Sequence, residues 1–146
     1  QHPSVQATLK YLNIDRGVQL HHDADLPARS GLGSSSAFTV GLLHALYGLK
    51  GVLTSKRQLA NDAIFVEQNI IKENVGCQDQ IMATHGGFNR ISFFGEDDIH
   101  ITPVILSKER LELLQAHLLL FFTGLSRTAS EIAKEQIENT KTKKRE

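Results

Sequence analysis

The chain has 146 residues, 40% of them apolar and 22% charged, and its 16 basic and 16 acidic side chains balance to a formal net charge of zero. That is enough chain to bury one domain's core, and the balance gives no sign of the basic face that a nucleic-acid partner demands. No apolar run approaches the roughly 20 residues of a membrane span, and Cys77, the single cysteine, cannot form an internal disulfide, which is compatible with a reducing cytoplasm.

In chain order, Ser4 to Leu12 places Val5, Leu9 and Leu12 on one stripe and predicts a helix. Val18 to Leu26 alternates in part and predicts a strand, and Pro27 to Gly33 a loop. Ser34 to Tyr47 predicts a helix that is apolar on nearly every side (Ala37, Phe38, Val40, Leu42, Leu43, Ala45, Leu46), and hence a buried one. Ser55-Lys56-Arg57-Gln58 has the form of a capping box and opens the next helix, whose core stripe is Leu59, Ala63, Val66 and Ile70. Asn74-Val75-Gly76 breaks that pattern. Cys77 to His85 predicts a short helix stopped by Gly86-Gly87. Phe88 to Phe94 and Ile99 to Ile105 predict a hairpin around Gly95 to Asp98. Ser107 caps a helix running to Gln115, and the apolar run Leu118 to Phe122 predicts a strand buried on both faces. A second capping box, Thr128 to Glu131, opens a last helix with Ala129, Ile132, Ala133, Gln136 and Ile137 on its inner face. The class is α+β.

The segment Pro27-Ala28-Arg29-Ser30-Gly31-Leu32-Gly33-Ser34-Ser35-Ser36-Ala37 carries the strongest chemical signal. Two glycines let a backbone approach a ligand closely, and three serines follow in the first turn of a helix, where unpaired amides and the helix dipole favour an anion. By composition it is a phosphate cradle; the plainer reading is a Gly/Ser loop that only caps a helix. It is not a Walker loop, which needs a lysine just before its final Ser or Thr. It also fits the dinucleotide fingerprint poorly, because Ser36 stands where that pattern needs a third small glycine or alanine.

Three further positions stand out. Glu67, four residues after Ala63 and three before Ile70, puts a carboxylate at the edge of an apolar stripe, at a solvent boundary or facing a cation. Asp79, twelve residues later and just after the Gly76 turn, either complements a helix dipole or accepts and orients a substrate hydroxyl proton. Arg127, after Thr123 and Ser126 on a strand-to-helix connection, suits a phosphate or sugar ligand as well as it suits the surface. His21 and His22 lie side by side in the expected strand, face opposite sides and cannot chelate one metal together. His44 is lone on an apolar helix and reads as a core or boundary residue. Lys141 to Arg145 reads as a solvated helix end.

Pro27 to Ala37 resembles the second motif of the GHMP kinases, the family of galactokinase, homoserine kinase, mevalonate kinase and phosphomevalonate kinase. Within it, Val66 to Gln80 followed by Gly86 to Arg90, together with Leu118 to Ala129, resembles the heptose kinases, which phosphorylate D-glycero-D-manno-heptose 7-phosphate at the anomeric hydroxyl. The resemblance covers nearly the whole chain. It implies a ribosomal protein S5 domain 2-like N-terminal domain, and ATP and Mg²⁺ as ligands, with no nucleic-acid or membrane partner. It places Gly31, Leu32, Gly33, Ser34, Ser35 and Ser36 on the ATP phosphates, Ser35 and Glu67 on the metal, Asp79 as the base or orienting carboxylate, and Arg127 and Gly87 on the sugar phosphate. The family's first motif and its third, glycine-rich motif have no counterpart here. Residues 1–146 are therefore expected to be most of an N-terminal domain, cut from a longer polypeptide and parted from its C-terminal domain. A hexose or mevalonate kinase of the same family, and a binding module without turnover, are the rival expectations; the presence of both Glu67 and Asp79 favours a working enzyme.

Overall fold

The computed structural model describes residues 2–25, 31–95, 98–121 and 137–140. The described residues form two compact units, one ending at His85 and joined by 137–140, the other running from Gly86 onward. Among them no helix is long and apolar enough to cross a membrane.

The first unit is helical. Helix α1 spans Pro3–Tyr11, α2 Ser34–Leu49, α3 Lys56–Phe65, and α4 Gln78–His85, and a π-helical segment, Val66–Ile71, continues α3. The predicted helices therefore form within a residue or two of their expected limits. Their ends obey local chemistry. Proline begins α1, where its missing N–H costs nothing. At the other end Asn13 takes a left-handed φ of 52°, its N–H donates to Lys10 O, and the Ile14 N–H reaches back to Leu9 O, a Schellman closure. Helix α2 closes in the same way at Gly51 and Val52. Ser55 accepts from the Gln58 N–H as expected of a cap. The reciprocal half of that capping box is not made, because the Gln58 side chain turns to Asp62 instead.

The core lies between α1, α2, α3 and the π-helical segment: Leu12, Val40, Leu42, Leu43, Leu46, Leu59, Ala63 and Val66 are buried together. In α1 the buried residues include Ser4, Ala7 and Thr8, while Val5 and Leu9 sit only partly buried at the margin. Small side chains let α1 approach its neighbours closely, and that outweighs the bulkier stripe. Helix α2 corrects a second expectation. It buries one face, but Ala37, Gly41, His44 and Ala45 are exposed, so His44 is a surface residue and not a core one. Packing on α1, α3 and α4 covers only the part of its circumference that those helices reach.

Three helices are pinned by one buried carboxylate. Asp62 of α3 accepts from the Tyr11 hydroxyl at 2.6 Å, the Tyr47 hydroxyl at 2.7 Å and the Gln58 amide at 2.8 Å. Burial, and then the hydrogen bond to Asp62, push the Tyr11 phenol from 10.0 up to about 12, and the Tyr47 phenol rises for the same reasons. A phenol whose folded pKa is raised contributes stability that is complete below its unfolded value and is lost as pH climbs through the folded one. The melting temperature should therefore hold to pH 10.0 and fall steeply towards about 12. In Asp62→Ala that fall should be shallower; an alkaline transition of unchanged depth in the variant would remove the network as its cause.

The second unit contains the expected hairpin. β1, Asn89–Phe93, pairs antiparallel with β2, Ile99–Pro103, in the register Ile91 opposite Ile101. Helix α5, Lys108–Ala116, follows, capped by Ser107 accepting from the Arg110 N–H. Two expected strands do not form among the described residues. Val18 to Asp25 makes no ladder among the described residues, and Leu118 to Phe121 is neither paired nor buried, Leu119 being 80% exposed. A strand is defined by its partner, and neither segment has one among the described residues. Leu26, the loop Pro27 to Ser30, Phe122, the second capping box Thr128 to Glu131, Gln136 and the Lys141 to Arg145 end lie outside the described residues.

Candidate functional site

The site is built where the N-terminus of α2, the π-helical segment and the first turn of α4 meet. Gly33 is the N-cap of α2, at φ 72° and with no side-chain cap, so the helix opens on bare backbone. A left-handed φ strains any residue with a Cβ. Space gives a second reason for glycine at this position. A Cβ there would stand 3.2 Å from Asp79 Cγ and 3.3 Å from Asp79 Oδ2. The Asp79 carboxylate thus stands beside the second glycine of the loop, crowding the space a side chain there would need, although 46 positions separate them in sequence.

Asp79 sits in the first turn of α4 and is exposed. Among the described residues its carboxylate has no hydrogen bond or ion pair, so no partner competes with a ligand for it. Its neighbour Gln80 points the other way, into the protein, and is 1% exposed.

Glu67 is buried, 1% exposed, rather than at the solvent edge that an α-helical stripe implies. The π-helical segment explains this. Its wider turn carries one more residue round to the inner face, so Glu67 follows Val66 into the interior while Ile70 is only partly buried. The segment ends at Lys72, φ 63°, with the Glu73 N–H returned to Glu67 O at 2.9 Å. Burial, and after it the charge of Glu67, raise the pKa of Glu73.

Two donors reach the Glu67 carboxylate, and both go to Oε2: the Ser36 hydroxyl at 2.9 Å and the Gln80 side-chain amide. Oε1 is buried and has no partner among the described residues. No Lys, Arg or His of the described residues pairs with Glu67. A buried carboxylate met, among the described residues, by neutral donors on one oxygen alone is suited to a cation. A hard divalent cation suits an unspent carboxylate oxygen. The described residues gather no group of three or more His, Cys, Asp or Glu side chains, so most of the remaining ligands would come from hydroxyl, water or phosphate oxygens, as Mg²⁺ commonly accepts.

The expected site residues fall as follows. Gly31, Leu32, Gly33, Ser34, Ser35 and Ser36 are contiguous through the N-terminus of α2, and Glu67 and Asp79 converge on it. The serine that touches Glu67 is Ser36; Ser35 is exposed and its carbonyl accepts from the Thr39 hydroxyl. Gly87 belongs to the second unit, at φ 73°. Arg127 lies outside the described residues. Sequence reasoning missed Gln80. A signal was available: Cys77, Gln80, Ile81 and Thr84 repeat at helical spacing, which sets a glutamine on an inner face where it needs a partner.

The sequence profile of the GHMP kinases N terminal domain matches residues 4–87, which contain every residue of this convergence. The chain is 32% identical, over 77% of its length, to a D-glycero-alpha-D-manno-heptose 7-phosphate kinase of Campylobacter jejuni. It is 27% identical, over 80% of its length, to a bifunctional fucokinase/GDP-fucose pyrophosphorylase of Arabidopsis thaliana. It spans 33% of the first relative and 11% of the second. The glycine-opened helix with its two converging carboxylates and the profile match over more than half of the chain agree: this chain belongs to the GHMP kinases, through their N-terminal domain.

Proposed function

We propose that the protein carrying this chain is an ATP- and Mg²⁺-dependent sugar kinase that transfers the γ-phosphoryl group of ATP to the anomeric hydroxyl of D-glycero-D-manno-heptose 7-phosphate. The observation that carries the kinase reading is the convergence of Gly33, Ser36, Glu67 and Asp79 at one helix N-terminus. The heptose assignment is supported by the 32% identity to a heptose 7-phosphate kinase.

In this reading the backbone from Gly31 to Ser36 binds the phosphates at the opening of α2. Glu67, with a hydroxyl from the serine run, holds the metal, which when bound neutralises charge on those phosphates. Asp79 accepts or orients the proton of the sugar hydroxyl, its carboxylate lying against Gly33 where the cradle opens. Phosphoryl transfer asks mainly for positioning and charge neutralisation, so this small set is chemically sufficient. Arg127 and Gly87 belong to the same proposal as contacts for the sugar phosphate, as do the S5 domain 2-like fold and a C-terminal domain completing the site.

A second reading, a kinase for fucose, is favoured by the match to the plant enzyme. The test is ADP release by the full-length protein with heptose 7-phosphate, fucose, galactose and mevalonate, each product located by ³¹P NMR. Heptose 7-phosphate should exceed the others in kcat/KM by about 10⁴-fold, since a site built to bond a polar group rejects ligands that lack it. Preference for fucose would select the second reading. Tight ATP binding with no turnover of any acceptor would make the protein a binding module.

A further inference from the structure

We propose that Gln80 is a positioning residue for the metal carboxylate: its side-chain amide, with the Ser36 hydroxyl, occupies Glu67 Oε2 and thereby leaves Oε1 as the oxygen offered to the cation. The proposal rests on the reading of Glu67 as a metal ligand.

An ionised carboxylate only accepts hydrogen bonds, so the Gln80 group facing Glu67 Oε2 is the Nε2 amide. That choice turns Gln80 Oε1 away, and it too is buried and has no partner among the described residues. Two acceptors, Glu67 Oε1 and Gln80 Oε1, are therefore left unmet in an interior where buried polar groups are almost always bonded. A leucine or methionine at position 80 would fill the same space without one of these costs. The amide is explained by what it does to Glu67. A carboxylate held at a single oxygen by donors from two different helices cannot exchange its two oxygens by rotation about its last bond. Ser36 comes from α2 and Gln80 from α4. The residue that locks Glu67 is also covalently joined to Asp79. One turn of α4 thus carries the carboxylate aimed at the acceptor hydroxyl on its exposed side and the clamp on the metal carboxylate on its buried side. The two chemical tasks share one anchor.

The experiment compares Gln80→Met and Glu67→Gln with the wild type in the full-length enzyme. Mn²⁺ is titrated alone, with free ion read by electron paramagnetic resonance, alongside the Mg²⁺ concentration for half-maximal rate and the melting temperature. Partners that orient a metal ligand commonly contribute about 10–100-fold in metal affinity. Gln80→Met should accordingly weaken Mn²⁺ by about tenfold and raise the Mg²⁺ requirement in parallel. Unchanged Mn²⁺ affinity in a folded Gln80→Met, with Mn²⁺ binding lost in Glu67→Gln, overturns the proposal and leaves the metal site standing. Unchanged affinity in both removes the metal reading of Glu67 and the proposal with it. If Gln80→Met does not fold, Gln80→Asn, which keeps the amide but draws it one methylene back from Glu67, gives the same comparison.

Discussion

Asp79→Asn should lower turnover of the full-length enzyme by about 10²–10⁴ while leaving its fold and its ATP affinity nearly intact. Asparagine has the same shape and keeps one acceptor, but it can neither take a proton nor carry the charge that orients one. The magnitudes separate the two roles open to this residue. A loss of that size corresponds to roughly 3–5 kcal/mol of transition-state stabilisation. A first-turn carboxylate that merely complements a helix dipole contributes about 0.3–1 kcal/mol, and does so to stability rather than to rate. The proposed catalytic role draws on three observations: Asp79 is exposed, makes no bond of its own among the described residues and stands beside the second glycine of the loop. Single-turnover rate, melting temperature and nucleotide affinity measured together decide the matter. Near-full turnover sinks the assignment, and a large drop in melting temperature with proportionate loss of activity returns Asp79 to a structural role.

Gly33→Val should weaken both ATP binding and turnover, together by roughly 10–100-fold in kcat/KM, because a strained backbone of this kind costs about 1–3 kcal/mol. The left-handed φ of 72° penalises a β-branched residue, and the new Cβ presses on Asp79 Cγ from 3.2 Å. Crowding alone would be confined to the nucleotide; displacement of Asp79 adds an effect on the chemical step. Gly31 supplies the comparison. Its φ of 75° is similar, but a Cβ there meets nothing within 4 Å among the described residues. Gly31→Ala therefore carries the strain without the contact, and the extra loss in kcat of Gly33→Ala over Gly31→Ala reports the Asp79 contact. Equal kcat in the two alanine variants would show that the contact has no consequence, and unchanged ATP affinity in a folded Gly33→Val would remove the cradle.

Much of this was legible in the residues themselves, because it depends on near neighbours in sequence. Helix limits follow from caps and spacing: Ser55 and Ser107 both cap as expected, and Gly86 and Gly87 stop α4 with left-handed φ values. The hairpin follows from two alternating runs about a polar turn. The Gly31 to Ser36 run was readable as glycines followed by serines at a helix start, and that local signal, with the carboxylates downstream, also carried the family resemblance that the profile match bears out.

What the residues alone left open depends on partners far away in sequence. The runs Val18 to Asp25 and Leu118 to Phe121 look like strands, yet a strand exists only beside another, and pattern does not name the partner. Glu67 looks like a boundary residue until the π-helical turn, packed on α1, rotates it inward. Asp62 reads as one more helical carboxylate, and only the approach of Tyr11 and Tyr47 from two other helices makes it a buried pin. The sequence by itself determined which side chains could do chemistry and which local turns would present them. Tertiary structure alone decided that Ser36 rather than Ser35 meets Glu67, that Gln80 clamps the same carboxylate oxygen, and that Asp79 lies against Gly33. Those pairings span between 13 and 46 positions, and it is the burial of the apolar faces of α2, α3 and α4 against one another that sets their distances.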